Sequence, residues 1–524
     1  MRAVPLLVGR NGMNTVDPFV SIDSGFMREA TNFIYVDGKY KQRPAFRIDA
    51  QHANITSARW HDGTYAIMGN GQVRDYATGA LSSTITANHT IPSMFTHANQ
   101  DILCGFGVPR LANSPFTAWT KTTTTITAAN IECGMSHRRR AFVSDDYVLE
   151  WYAQDIQLVA GASASAGTDT LIGLLQAGES ILRMFSMTVQ PGNETSNVAV
   201  FIGSLGTVLI YDGDYPGATN WQLLGKYLMP KPASRVSMVE VDGDILVFAS
   251  RYCYWIADLL QGGVAAAYGN RPSAPIDNLY QSFFTGVSAL ESIYQPATAW
   301  YFGTLESGSN IFIYDAIICS TDMHYNNFGS YGAEKAYLVY KRNPAGWYLW
   351  YAPVYTNPVR SGKALGYASE LMYFSPTNQT DVTNLGNDTF EIESVAKWPY
   401  VGLAEPRARR VTGAKVFGRN EDRNYVERVR AHFDFGDFVN PFGLTNQSTG
   451  SMNEPLEQRY SDCPQYDELG LDDHLYVSPM LGIAGEGTTV SLEVKLKKAT
   501  DGSDFSTQDL FAATLFLSEG GIRS

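Results

Sequence analysis

Short apolar runs separated by tight turns recur along the chain, and their order is most regular between residues 198 and 257. The four runs there, each four to six residues long, are Val198–Ile202, Val208–Tyr211, Val236–Val241 and Ile245–Ala249. The pair Asp242-Gly243 joins the last two runs, and Asp212-Gly213 follows the second. An Asp-Gly pair between apolar β-formers favours a hairpin, because glycine adopts a positive φ without a Cβ clash. This stretch therefore predicts small antiparallel sheets.

Comparable strand signals continue from residue 55 to residue 395. They recur about every 8–12 residues, in groups of about 40–50 residues, which is typical of a propeller. Four of the groups begin at Ser57–Trp60, Ser93–Thr96, Ile131–Met135 and Ala297–Gly303. Helical periodicity is limited to two short candidates, Thr170–Leu175 and Asp277–Phe284. The pattern predicts an all-β chain whose central part is an irregular β-propeller of six or seven blades.

The two ends of the chain differ from this central part. Near the N-terminus, Phe33–Val36, the turn Asp37-Gly38 and a return strand Lys39–Ile48 predict one hairpin. Near the C-terminus, Arg409–Phe417 and Thr488–Lys497 alternate polar and apolar residues, as a sheet with one solvated face does. The two ends are therefore predicted to form one β-sheet platform domain.

The predicted domain organisation has three parts. Residues 1–54 contribute an N-terminal hairpin to the platform, and residues 55–395 form the propeller. Residues 396–524 form the C-terminal β platform domain, with a long loop at 438–475 that is rich in Asn, Gln, Ser, Asp and Pro.

Composition supports an all-β globular class and narrows the range of partners. Charged residues make up 17% of the 524 residues and hydrophobic ones 44%, with 30 Tyr and 47 Gly. The net charge of −13 argues against a conventional nucleic-acid binder, but fits a surface that DNA slides past without adhering. The five cysteines are scattered and lack metal spacing, which predicts free thiols in a reducing compartment. The sequence predicts neither a signal peptide nor a transmembrane segment.

Sequence motifs for catalysis are absent. The chain has no GxxxxGK[ST], strand-linked GxGxxG, HExxH or GxSxG motif, and Asp145-Asp146 and Asp472-Asp473 are interpreted as solvated turns. We therefore predict no catalytic residue, cofactor or metal site. A propeller glycosidase or a carbohydrate-binding propeller stays open as an alternative, because aromatic rings stack on sugars.

Two arginine clusters are the candidate contact sites. One precedes the strand Ala141–Ser144, and the other leads into a strand at Val411; both could bind phosphate. The residues are Arg138, Arg139, Arg140, Arg407, Arg409 and Arg410. We predict contacts with DNA or with a neighbouring subunit. The simpler interpretation is that these arginines pair with acidic residues of a neighbouring subunit or blade.

Motifs in three parts of the chain together indicate a family. In one blade they are Tyr211-Asp212-Gly213, Pro216, Asn220-Trp221, Leu224-Gly225 and Gly243-Asp244-Ile245-Leu246-Val247. The N-terminal hairpin adds Glu29 through Asn32 and Arg43-Pro44, and the late part of the chain adds Gly346-Trp347-Tyr348-Leu349-Trp350 and the exit from the propeller at Lys397-Trp398. With these motifs the sequence resembles the tail nozzle or packaged-DNA stabilisation proteins (tail tubular protein B-like) of short-tailed bacteriophages.

The resemblance implies an architectural role. Such proteins form a ring, in most cases a hexamer, below the portal and adaptor rings. The implied partners are the head–tail adaptor ring, tail fibre, spike or needle proteins, and the genomic double-stranded DNA in the channel. The implied location is the virion tail after synthesis in the host cytoplasm, without membrane insertion. The implied function is to extend the portal channel, retain packaged DNA and conduct it during ejection.

Overall fold

Strands form nearly all of the regular structure in the computed structural model. It describes residues 2–17, 22–48, 58–61, 65–68, 72–75, 80–84, 93–98, 100–104, 110–111, 126, 131–154, 165–189, 196–285, 298–307, 310–325, 334–352, 356–359, 363–366, 371–375, 380–382, 389–392, 394–402, 409–419, 426–433, 458–459, 475–477, 485–487, 489–496 and 509–518.

Five short strands open the chain, and they belong to three different sheets. They are β1 Arg2–Leu7, β2 Glu29–Thr31, β3 Phe33–Val36, β4 Lys39–Gln42 and β5 Ala45–Ile48. Strands β3 and β4 form the predicted hairpin around Asp37 and Gly38, both at positive φ. The predicted return strand Lys39–Ile48 is wrong, because it breaks at Arg43-Pro44. Proline has no N–H to donate to the sheet, so β4 ends the hairpin and β5 joins another sheet.

The chain then builds four small antiparallel sheets, each from consecutive strands, which we call blades 1 to 4. Blade 1 contains β6 Ala58–His61, β7 Tyr65–Met68, β8 Gln72–Asp75 and β9 Leu81–Thr84. Blade 2 contains β10 Ser93–His97, β11 Gln100–Cys104 and β12 Arg110–Leu111. Blade 3 contains β13 Cys133–His137, β14 Arg140–Asp145, β15 Val148–Tyr152 and β16 Ser165–Thr170. Blade 4 contains β17 Ile181–Val189, β18 Ser196–Gly203, β19 Thr207–Asp212 and β20 Gln222–Leu228.

Three further blades follow, with the helical segment between blades 5 and 6. Blade 5 contains β21 Met238–Val241, β22 Asp244–Phe248 and β23 Cys253–Trp255. The helices are α1 Ile256–Gly269, a 3₁₀ turn Ala274–Ile276 and α2 Asp277–Thr285. Blade 6 contains β24 Thr298–Ser307, β25 Asn310–Tyr325, β26 Glu334–Lys341 and β27 Gly346–Ala352. Blade 7 contains β28 Thr356–Val359, β29 Lys363–Gly366 and β30 Leu371–Ser375, and β5 is its fourth strand.

The blades follow one another around a propeller. The first strands of blades 2, 3 and 4 contact each other in sequence, as do those of blades 5, 6 and 7. Strands β28 and β29 of blade 7 contact β6 of blade 1, so the last described blade meets the first. Blade 7 is completed by β5, which pairs with β30, so distant parts of the chain close the propeller. The described strands thus confirm the predicted all-β propeller.

The helix predictions have mixed outcomes. The candidate Asp277–Phe284 is confirmed as α2. The candidate Thr170–Leu175 is wrong, because Thr170 ends β16, which pairs with β15. Helix α1 has no counterpart among the predictions, and its non-helical φ/ψ values at Gly262 and Gly263 show that two short helices meet there.

The C-terminal part contributes eleven described strands. They are β31 Thr380–Val382, β32 Thr389–Glu391, β33 Ser394–Lys397, β34 Val401–Gly402, β35 Arg409–Arg419, β36 Val426–Phe433, β37 Gln458–Arg459, β38 Leu475–Val477, β39 Gly485–Gly487, β40 Thr489–Leu496 and β41 Asp509–Ser518. Apart from β37 and the first residue of β38, the predicted loop 438–475 lies outside the described residues.

The platform joins both ends of the chain, as predicted. In one sheet, β1 and β4 pair with β41, and β41 pairs with β35. In the other, blade 6 continues through β2 into β33, β40, β36 and β37. Apolar residues of both sheets, among them Ala414, Leu492, Val494 and Leu515, share one buried core. The domain boundaries at residues 54 and 395 stay predictions.

Candidate functional site

The first predicted arginine cluster forms the turn between β13 and β14. His137 pairs with Arg140 in register, and Arg138 and Arg139 occupy the two central positions at φ +45° and +65°. Two positive φ values are those of a type I′ hairpin turn, in which glycine and asparagine are preferred. Two arginines there are strained, so contacts outside the hairpin must hold the turn.

Those contacts come from blade 4. The Arg138 guanidinium lies 2.6 Å from the Asp212 carboxylate and 3.0 Å from the Asp214 carboxylate. It also donates to the carbonyl oxygen of Asn197 at 3.1 Å. Arg138 therefore binds acids of a neighbouring blade, which corresponds to the simpler interpretation of this cluster. We call His137, Arg138, Asp212, Gly213 and Asp214 the interblade latch.

His137 is the buried half of the latch. Its Nε2 lies 2.9 Å from the carbonyl oxygen of Gly213, and its Nδ1 lies 2.8 Å from the Ser186 hydroxyl. A carbonyl only accepts, so Nε2 carries the proton and Nδ1 accepts from Ser186. The ring lies edge-on to Phe142 and Trp221, which stack on each other. Burial lowers the pKa of His137 to about 4, so the imidazole is neutral at pH 7.

The other predicted arginines have different surroundings. Arg139 is exposed at the turn, whereas Arg140 stacks 4.5 Å from the Tyr215 ring centre and donates to the carbonyl oxygen of Tyr152. Arg409 and Arg410 lie on β35 of the platform, in register with Gly487 and Glu486, while Arg407 lies outside the described residues. The two clusters thus belong to different sheets, and their contact with DNA or another subunit stays a prediction.

The latch gives a prediction with an internal control. Arg138→Ala leaves two carboxylates and a carbonyl without this donor, so the free energy of unfolding should fall by about 1–2 kcal/mol, discounted for partial exposure. Arg139→Ala, one residue away, should change it by less than about 0.5 kcal/mol. Urea unfolding at pH 7 measures both values. Equal losses in the two variants would contradict the latch.

A second polar centre marks the crossing from platform to propeller. The buried Arg43 donates through Nε to Asn32 Oδ1 at 3.0 Å and through its terminal nitrogens to the carbonyl oxygens of Tyr351 and Pro44 at 2.6 and 3.0 Å. Asn32 Oδ1 also accepts the backbone N–H of Tyr351 at 2.7 Å, and the carbonyl oxygen of Asn32 accepts the Ser394 hydroxyl. Arg43 and Asn32 together therefore connect the residue between β2 and β3 to blade 6 and to β33.

Sequence reasoning missed a charged row across the platform. Glu29, Lys397, Glu493 and Arg430 are directly opposite one another on β2, β33, β40 and β36, so their signs alternate from strand to strand. Lys397 Nζ lies 3.6 Å from the Glu493 carboxylate, and His432 Nε2 lies 3.1 Å from it. Opposite charges on facing positions stabilise a sheet. This row is therefore balanced within the protein.

Burial changes the pKa of Glu29, the acid at one end of that row. The pKa of Glu29 is raised first by burial and then by the charge of Glu493, although the Thr31 hydroxyl donates to Glu29 at 3.0 Å. The sequence carried only a partial signal for this cluster. The alternation of Thr489–Leu496 shows which residues share a face, but not which strands lie beside them.

A cleft of about 490 Å³ lies between the β3–β4 turn and blade 6. Its walls include Asp37, Lys41, Asp315 and Lys341. The buried Lys341 donates to the carbonyl oxygen of Tyr314 at 3.0 Å, and burial lowers its pKa. Asp315 accepts the Tyr301 hydroxyl and lies 3.5 Å from Arg342. Lys341 and Asp315 thus hold parts of blade 6 together beside the platform hairpin.

Metal ligands and thiols are the other candidate chemistry in the described residues. Among them, no three His, Cys, Asp or Glu side chains converge as a metal site would require. Cys104, Cys133, Cys253 and Cys319 are buried free thiols, as predicted, and Cys463 lies outside the described part. In that same part, no helix has both the length and the apolar character needed to cross a bilayer.

Comparison with known proteins gives no family. No family model matches the chain, and no curated protein does. Among solved structures, a Trypanosoma rangeli sialidase with 2,3-difluorosialic acid is 8% identical, covers 92% of this chain and 96% of its own, and has a TM-score of 0.30. The WD40 domain of SCAP from fission yeast is also 8% identical, covers 99% and 95%, and has a TM-score of 0.27. Likenesses this weak support no inference about function, and the propeller rests on the strand pairing above.

Proposed function

We propose that this propeller protein is the tail nozzle of a short-tailed bacteriophage, a structural protein that forms a ring. In this role it extends the channel of the portal and adaptor rings, retains the packaged DNA and conducts it during ejection. The proposed partners are identical subunits, the adaptor ring above, tail fibre, spike or needle proteins, and double-stranded DNA. The proposed location is the virion tail.

The observation that carries the proposal is the position of the residues behind the sequence resemblance. Asp212 and Gly213 of the Tyr-Asp-Gly motif lie in the interblade latch, beside Trp221. Asn32 and Arg43 of the N-terminal motif lie at the crossing from platform to propeller. Both motifs therefore serve the joints between structural units. A channel wall must keep its shape while DNA under pressure moves along it. Contacts that fix the blades and the platform relative to one another suit that requirement.

The overall charge suits the same role. A chain with a net charge of −13 repels the phosphate backbone on balance, which favours sliding over adhesion. A closed ring requires a heterologous interface, in which one patch of each subunit meets a different patch of the next.

The outer edge of blade 4 is where we expect one of those patches. Strand β20 is the last strand of its sheet, so one side of its backbone has no partner within the sheet. Leu223, Leu224 and Leu228 on this strand are 40, 45 and 58% exposed. Helix α1 contacts this strand, and apolar residues that stay exposed on an edge strand are typical of a surface that a second chain covers.

The test is the assembly state of the purified full-length protein, measured by light scattering and electron microscopy. We expect a six-fold ring with a central channel. Leu228→Lys should reduce ring formation, whereas Gln222→Lys, which adds the same charge on the same strand, should reduce it less. A protein that stays monomeric at every concentration contradicts the ring. Hydrolysis of a glycoside by such a monomer would favour the propeller glycosidase.

A further inference from the structure

The cleft between the β3–β4 turn and blade 6 has the dimensions of a small-molecule site. Its volume of about 490 Å³ falls in the range of roughly 300–1,000 Å³ that ligand pockets occupy in proteins. Its walls come from the platform hairpin and from the propeller, and ligand pockets are common at such boundaries between structural units. The hydrogen-bonding groups on these walls indicate which kind of ligand fits.

Lys341 supplies unused hydrogen-bond donors to this cleft. The residue is 5% exposed, and its Nζ donates to the carbonyl oxygen of Tyr314 at 3.0 Å. Within the part of the chain that the structure describes, no second oxygen accepts from Nζ, although an ammonium group has three N–H donors. Burial lowers the pKa of Lys341, as expected for an ammonium that has lost water and gained one acceptor. Because Lys341 lines the cleft, a ligand there can supply the acceptors that the protein does not.

Asp37 and Asn343 add hydrogen-bonding groups to the same walls. Asp37 is exposed in the β3–β4 turn, and Asn343 is exposed in the turn between β26 and β27. Neither side chain has a hydrogen bond to another described residue. The negative charges of Asp315 and Asp37 both act on Lys341, so the two carboxylates and the ammonium share one small volume.

This mixture of charges disfavours an ionic ligand. An anion such as phosphate is repelled by the Asp37 and Asp315 carboxylates, and a cation is repelled by Lys41 and Lys341. A hydroxyl group donates to a carboxylate and accepts from an ammonium, so it fits beside both kinds of charge. The remaining wall is partly apolar and includes Tyr35, Val36 and Pro344. A ligand with several hydroxyls on a carbon skeleton therefore matches the cleft better than an ion does.

We propose that the cleft binds a saccharide, with Lys341 donating to its hydroxyl oxygens and with Asp37 and Asn343 accepting from its hydroxyl groups. The C–H skeleton of the sugar packs against the partly apolar wall. A free sugar and the end of a polysaccharide both present these groups. The cleft is formed by the platform hairpin and blade 6, and the edge that we assign to the ring belongs to blade 4. Sugar binding thus goes beyond the proposed function and does not depend on ring formation.

The experiment measures binding of the full-length protein to an array of immobilised bacterial polysaccharides and, by calorimetry, to free glucose, galactose and N-acetylglucosamine. We expect binding to at least one of these probes. Retention on the array alone identifies a polysaccharide, whereas binding of a free sugar identifies a small ligand. Lys341→Met removes the buried donor and should weaken the binding by about tenfold or more. Inorganic phosphate at the concentration of the sugar should not displace it.

The variant Asp37→Asn keeps the test valid should Lys341→Met fold poorly. Asparagine has the shape of aspartate and tolerates the φ of +50° at this position, but it lacks the charge and one acceptor oxygen. It should weaken binding by about three- to tenfold. The matched control is Asp146→Asn, because Asp146 is also exposed and has the same φ, in a turn of blade 3. This control should leave the affinity within about twofold of the wild-type value.

Binding to none of the probes, equal losses in Asp37→Asn and Asp146→Asn, or displacement of the sugar by phosphate would overturn the proposal. Ring assembly is measured separately on the same protein. A ring that binds no sugar refutes this cleft as a saccharide site and keeps the nozzle. A permanent monomer that binds sugar through Lys341 refutes the nozzle and keeps the saccharide site.

Discussion

Replacing Arg43 by methionine is expected to lower the free energy of unfolding by about 2–4 kcal/mol, the largest effect predicted for any single side chain in this protein. Arg43 is 3% exposed, and its guanidinium donates to Asn32, Pro44 and Tyr351. Methionine fills a similar volume but donates nothing, so buried oxygens lose their donor without access to water. Urea unfolding followed by tryptophan fluorescence measures the loss, because Trp350 lies in the adjoining strand.

Two further variants separate hydrogen bonding from general damage to the hairpin. Lys41→Met changes a less buried cation two residues earlier and should cost about 1 kcal/mol or less. Arg43→Lys keeps the charge but loses the planar fork, so its stability should fall between those of wild type and Arg43→Met. A loss in Arg43→Met no greater than that in Lys41→Met would show that the crossing is held by apolar packing instead.

The sequence predicts the parts of the fold whose signals are local. Asp242 and Gly243 do adopt positive φ values of +50° and +80°, and they join β21 to β22. Alternation in Thr488–Lys497 predicts β40 almost to the residue. The break at Arg43-Pro44 has a local signal in the proline, but the partner of the strand that follows it does not, because β5 pairs with β30. Ala45 is opposite Ser375, and no pattern around Ala45 specifies a partner so far away.

The candidate sites show the same limit. The arginine cluster before Ala141 is visible in the sequence, but the acids that bind Arg138 lie 74 and 76 residues later. The charged row of the platform depends on strand order, since Glu29 and Glu493 come from opposite ends of the chain. Local patterns predict which residues share a face, whereas charge pairing across strands follows from the pairing register.

The stability of the protein is expected to fall by about 2 kcal/mol between pH 7 and pH 5 because of His137 alone. The ordinary histidine pKa near 6.5 applies to the unfolded chain, whereas the folded pKa is about 4. Between these values the unfolded chain binds a proton that the folded protein excludes. The stability linked to the neutral imidazole is therefore fully present above about pH 6.5 and is lost as the pH falls toward 4. Urea unfolding at a series of pH values measures this dependence.

The variant His137→Gln isolates this contribution. Glutamine can donate to the Gly213 carbonyl but does not titrate, so the variant should be less stable than wild type at pH 7 and should lose about 2 kcal/mol less between pH 7 and pH 5. Parallel pH profiles for the two proteins would mean that His137 is protonated as readily in the folded protein as in the unfolded chain. An imidazole resonance that is missing from the variant and titrates near pH 4 in wild type would assign the effect directly. Because protonation of His137 places a charge in a buried position between blades 3 and 4, acid should loosen blade 3 from blade 4 first.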